Sequence, residues 1–166
     1  MEPFGLGIGP RQMTLSTAGF IPGIKKFKRF PKINLALSLH SPFHEIRSQL
    51  IPINEQYPLD QVLAELEDIE KHLIKKQFIT YEYLLIKGLN DRPEDAQELG
   101  RLFNKRKALI NLIPFNPFPG STYQRPTDDE VDHFKELLVE QKLRTLVRIT
   151  KGSDILAACG QLKSNK

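Results

Sequence analysis

The feature that most constrains this chain is an alternation: five strand-like runs separated by stretches with helical periodicity. The runs are 12–17, 33–39, 79–86, 108–115 and 144–149, each rich in β-branched, leucine or aromatic residues. Side chains alternate along a strand, so in the second run Leu35, Leu37 and Leu39 point one way. Asn34, Ala36, Ser38 and His40 point the other. Between the runs, 58–76 places Leu59, Val62, Leu63, Leu66, Ile69 and Leu73 on one helical stripe, with Pro58 suited to its first turn. Residues 91–105 do the same with Ala96, Leu99, Leu102 and Phe103. Thr127 and Glu130 have the spacing of a capping box, opening a helix that buries Val131, Phe134, Leu137 and Leu138. Strand and helix in alternation imply parallel strands, because a crossover helix returns the chain to the end from which it started. The prediction is an α/β fold, either a β/α barrel or an open layer, with ligands gathering at the carboxyl ends of the strands.

Length and composition narrow what such a fold can do. A chain of 166 residues suits one domain. Its 40% hydrophobic and 27% charged residues suit a globular protein rather than a disordered or fibrous one. The net charge of +4 permits an anionic partner such as RNA without requiring one. A single cysteine excludes an internal disulfide and any thiolate-only metal site. With no membrane-length apolar run and no signal-peptide pattern, the expected location is cytoplasmic, with no membrane partner.

Three strand ends carry polar groups: Ser16 with Thr17, Ser38 with His40, and Asn116. They read either as ordinary turn residues or as a rim converging on a polar ligand such as a nucleoside or an amino acid. Cys159 stands between Ala158 and Gly160, either as an inert small hydrophobe or as a thiolate with room for a ligand to approach. The stretch 25–32 holds Lys25, Lys26, Lys28 and Arg29 around two phenylalanines. That pattern fits RNA binding, and equally a solvated helix face with its phenylalanines turned to the core.

Taken in order, the segments 15–19, 36–40, 52–54 (Pro-Ile-Asn), 111–117 and 157–162 closely resemble the dual-specificity RNA methyltransferases of the radical S-adenosylmethionine class. Those enzymes methylate carbon 2 of adenosine in 23S rRNA and tRNA. The resemblance implies that Ser16, Ser38, Leu39, His40 and Asn116 contact S-adenosylmethionine. It also implies that Cys159 carries the methyl group as an S-methylcysteine intermediate. In the family, a second S-adenosylmethionine is cleaved at a 4Fe–4S cluster to give the radical that activates this methyl group, and a partner cysteine later releases the RNA. A thiolate suits the acceptor role, and a cofactor must supply the radical because carbon 2 of adenine is a poor nucleophile.

Three parts of the family pattern are absent: the three-cysteine cluster motif, the Gly-Glu-Pro strand after it, and the partner cysteine. This chain therefore offers no ligands for the cluster. The expected fold is an incomplete TIM-type barrel, its C-terminal half only, as one partial domain over 1–166 with four barrel strands and a later accessory strand. The isolated chain is expected to be inactive, and to aggregate or pair with a separate N-terminal fragment. The alternatives are a non-catalytic RNA- or protein-binding remnant, or the sister activity at carbon 8.

Overall fold

A computed structural model describes residues 9, 12–27, 29, 33–71, 78–104, 106 and 108–148. The strands are β1 (Thr14–Thr17), β2 (Asn34–Ser38), β3 (Ile79–Leu85), β4 (Ala108–Pro114) and β5 (Arg144–Val147). The helices are α1 (Ile21–Phe27), α2 (His44–Leu50), α3 (Leu59–Glu70), α4 (Pro93–Leu102) and α5 (Asp128–Glu140), with a 3-10 turn over Pro52–Glu55 after α2. All neighbouring strands pair in parallel, in the order β1-β2-β3-β4-β5. This is the arrangement of a partial β/α barrel.

The later accessory strand, Arg144–Val147, pairs in parallel with Leu109–Leu112 and so extends the same sheet. The capped helix α5 brings the chain back to the amino end of β4, as each earlier crossover does for its own strand pair. Its capping box forms as expected, Thr127 Oγ1 accepting from Glu130 N at 3.2 Å and Glu130 Oε2 from Thr127 N at 2.7 Å.

The core lies between one sheet face and the helices. Leu35, Leu37, Tyr81, Tyr83, Leu85, Ile110 and Leu112 are buried there against Val62, Leu66, Leu99, Phe134 and Leu138. Tyr83 stacks on Phe134 at 5.6 Å and Tyr81 tilts onto Phe103 at 4.4 Å, so rings bridge sheet and helices. The predicted stripes are the buried ones, except that Leu102 and Leu137 are only partly buried. Leu73 lies outside the described residues.

Candidate functional site

Strand register divides the sheet into two chemically different faces. Leu37, Tyr81 and Ile110 are partners in one row and belong to the helix-covered core. The next row, Ser38, Glu82, Asn111 and Leu146, has the opposite orientation. Ser16, in register with Ala36, points the same way. That second face carries Ser16, Ser38, Thr80, Glu82 and Asn111, and only Ala36 and Leu109 among its members are buried. A parallel sheet covered on both faces reads as continuous apolar strands; polar residues on one face mark a lumen or binding surface. Sequence reasoning found Ser16 and Ser38 from the strand ends. It missed Glu82 and Asn111, which become visible only when the pairing register sets them beside Ser38.

At the carboxyl end of β2 the chain turns sharply. His40 adopts a left-handed conformation, φ 58°, which histidine tolerates better than most side chains. The turn carries the imidazole across to β3, where its Nδ1 accepts from the Leu84 backbone N–H at 3.0 Å. Nδ1 therefore carries no proton, and the neutral ring holds its proton on Nε2 as a donor. Burial, then the positive charge of Arg47, lowers the His40 pKa to about 4. Asn90, fully buried, locks this corner. Its amide nitrogen donates to the carbonyls of His40 at 2.6 Å and Leu84 at 2.7 Å, and its oxygen accepts from Ile86 N at 2.8 Å.

The other expected contact residues divide. Leu39 is fully buried in the core, so its side chain is not on the rim and only its backbone can meet a ligand there. Asn116 lies two residues past the end of β4, half-buried, in a segment held by Phe115 N donating to Leu85 O at 2.9 Å. Ser16 and Ser38 thus lie in the carboxyl-terminal parts of β1 and β2, and His40 and Asn116 lie just past the carboxyl ends of β2 and β4. Cys159 lies outside the described residues.

The basic cluster is elsewhere. Helix α1 runs from the carboxyl end of β1 back toward the amino end of β2, so Lys25 and Lys26 in its last turn sit away from the rim. Lys25 pairs with Glu65 of α3 at 3.2 Å, and Phe27 is buried in the core. For these residues the helix-face reading describes the local packing, while Lys26 and Arg29 are exposed. Lys28 is outside the described residues.

Comparison with known proteins places this geometry. No family model matches the chain. It is 40% identical, over 98% of its length, to the "Dual-specificity RNA methyltransferase RlmN" of Xylella fastidiosa, and 39% identical to the protein of that name from Stenotrophomonas maltophilia. It spans 42% of the length of each of these curated relatives. The solved structure of a radical SAM methyltransferase from Sphaerobacter thermophilus superposes with a TM-score of 0.88 at 37% identity, over 95% of this chain and 46% of the other. A domain of pyruvate-formate lyase-activating enzyme from Bacteroides vulgatus, 13% identical, shares the fold at a TM-score of 0.61.

Proposed function

From a chain that corresponds to the C-terminal half of an RlmN-type radical SAM methyltransferase, we propose a function within an RNA-modifying enzyme. It holds S-adenosylmethionine at the carboxyl ends of its strands and carries the methyl group on Cys159 to an adenine of RNA. The observation that supports this reading is the sheet face opposite the helix-covered core, which carries Ser16, Ser38, Glu82 and Asn111, with His40 and Asn116 just past the carboxyl ends of its strands. Ser16, Ser38 and Asn116 make no side-chain hydrogen bond among the described residues, and so are available to a ligand.

Each group suits part of that ligand. The serine hydroxyls can donate to ribose oxygens or a carboxylate and accept from an ammonium. The His40 Nε2–H is a donor, fixed by the bond at Nδ1. Asn116 offers a donor and an acceptor side by side, the pairing that an adenine edge presents. S-adenosylmethionine supplies an electrophilic methyl group, and Cys159 is the proposed acceptor sulfur. The iron–sulfur cluster does not fit this chain. Among the described residues no group of three His, Cys, Asp or Glu could hold a metal, and the sequence has one cysteine. We assign the cluster to a separate segment and derive no step through it.

The test uses this chain joined to a cluster-bearing segment. Ser38→Ala and Asn116→Ala should each weaken S-adenosylmethionine binding about tenfold, the scale of one or two lost polar contacts. Cys159→Ala should keep binding and abolish RNA methylation. Unchanged affinity in both rim variants would overturn the reading. Product analysis separates carbon 2, the proposed target in 23S rRNA and tRNA, from carbon 8.

A further inference from the structure

Arg47 is fully buried in α2, with no acidic partner among the described residues. Its Nη2 donates to two backbone carbonyls, Ala18 at 3.0 Å and Ser38 at 3.1 Å. These two carbonyls stand just past the last pair of the β1–β2 ladder, Thr17 and Leu37. No ladder bond joins the strands beyond that point, and β1 is an edge strand of four residues. One guanidinium nitrogen therefore replaces the missing rung.

The guanidinium is itself aimed by a second residue. Nη1 donates to Asn54 Oδ1, and the Asn54 amide donates to Ser48 Oγ at 2.8 Å and His44 O at 3.3 Å. The Pro52-Ile53-Asn54 segment thereby gains a structural role, since its 3-10 turn presents Asn54 to Arg47. Space is tight on the far side too. Gly19 has φ 109°, and a side chain there would press on Arg47 Nη2 at 3.3 Å and Val62 Cγ2 at 3.1 Å.

The arrangement is costly. Arg47 Nε has no hydrogen-bond partner, and burial lowers the pKa to about 10, leaving the group cationic at neutral pH. Buried ionic groups are often no more stabilising than apolar side chains of the same size. We propose that Arg47 is a positioning residue: by tying the Ala18 and Ser38 carbonyls together it fixes the spacing of the two strand ends that carry Ser16 and Ser38. The role rests on the proposed S-adenosylmethionine site and extends it to a residue that does not touch the ligand.

The experiment is steady-state methylation by this chain joined to a cluster-bearing segment. Arg47→Met should raise the KM for S-adenosylmethionine about tenfold and leave the KM for RNA unchanged. Arg47→Lys, which keeps the charge and can reach one carbonyl, should recover part of the loss. A variant that only lost folded molecules would show lower kcat at unchanged KM, and that result would overturn the role. Should Arg47→Met fail to fold, Asn54→Ala keeps the cation but frees its orientation; it should raise the same KM severalfold, and an unchanged value refutes the proposal. Ser38→Ala separates the two claims. Unchanged KM there removes the ligand assignment, whereas a raised KM there beside an unchanged one in Arg47→Met removes only the positioning role.

Discussion

At the scale of single residues, the corner after β2 concentrates cost and chemistry. His40 is held neutral, with its pKa lowered from 6.5 to about 4. An unfolded chain takes up that proton at higher pH than the folded one, so between about 4 and 6.5 folding stability rises with pH. The contribution is complete above pH 6.5 and lost as pH falls through 4, on the order of 3 kcal/mol in all. Urea titrations from pH 7 to 4 should show this decline, reduced in His40→Gln; equal slopes in both proteins would refute the assignment. Asn90→Ala strips the carbonyls of His40 and Leu84 and the N–H of Ile86 of their partner. Thermal or chemical melts should show a loss of about 3 kcal/mol or more, since buried groups left unpaired cost about 1–3 kcal/mol each. The sequence announced His40 through its place after an alternating strand. Asn90 and Arg47 gave no such signal, because an asparagine in a turn and an arginine in a helix look ordinary until their long-range acceptors are known.

At the scale of elements, the periodicities were legible because each buries a face. α3 buries Leu59, Val62, Leu63, Leu66 and Ile69 of its predicted stripe and α5 buries Val131, Phe134 and Leu138, and the Thr127–Glu130 box can be read from two residues. Thr127→Ala should cost about 1 kcal/mol, measurable as a lowered denaturation midpoint at unchanged m-value. Phe134→Ala, which removes the ring stacked on Tyr83, should cost about 3–5 kcal/mol. Two short helices, α1 and α2, were less legible, since seven residues hold only two turns of pattern. The place of β5 could not be read either. Its run has strand composition, but composition does not say which neighbour it joins.

At the scale of the whole molecule, the sheet has two outer strands whose packing contrasts with its centre. Leu15 of β1 is 50% exposed, while its register partner Leu35 is 2% exposed on the same face. Leu146 of β5 is 51% exposed. Edges of this kind invite another strand or another chain. The isolated chain is therefore expected to self-associate, or to gain solubility and a sharper melt when expressed with a cluster-bearing segment; sedimentation of each alone and together reads the difference. Rim and methyl-carrying sulfur together make this chain the proposed substrate-handling half of an RNA methyltransferase. Mass spectrometry of ribosomal RNA incubated with the joined enzyme, S-adenosylmethionine and a reductant puts that role to the sharpest trial. Methyladenosine should form with the native chain and not with Cys159→Ala; methyladenosine formed equally by both would contradict the assignment.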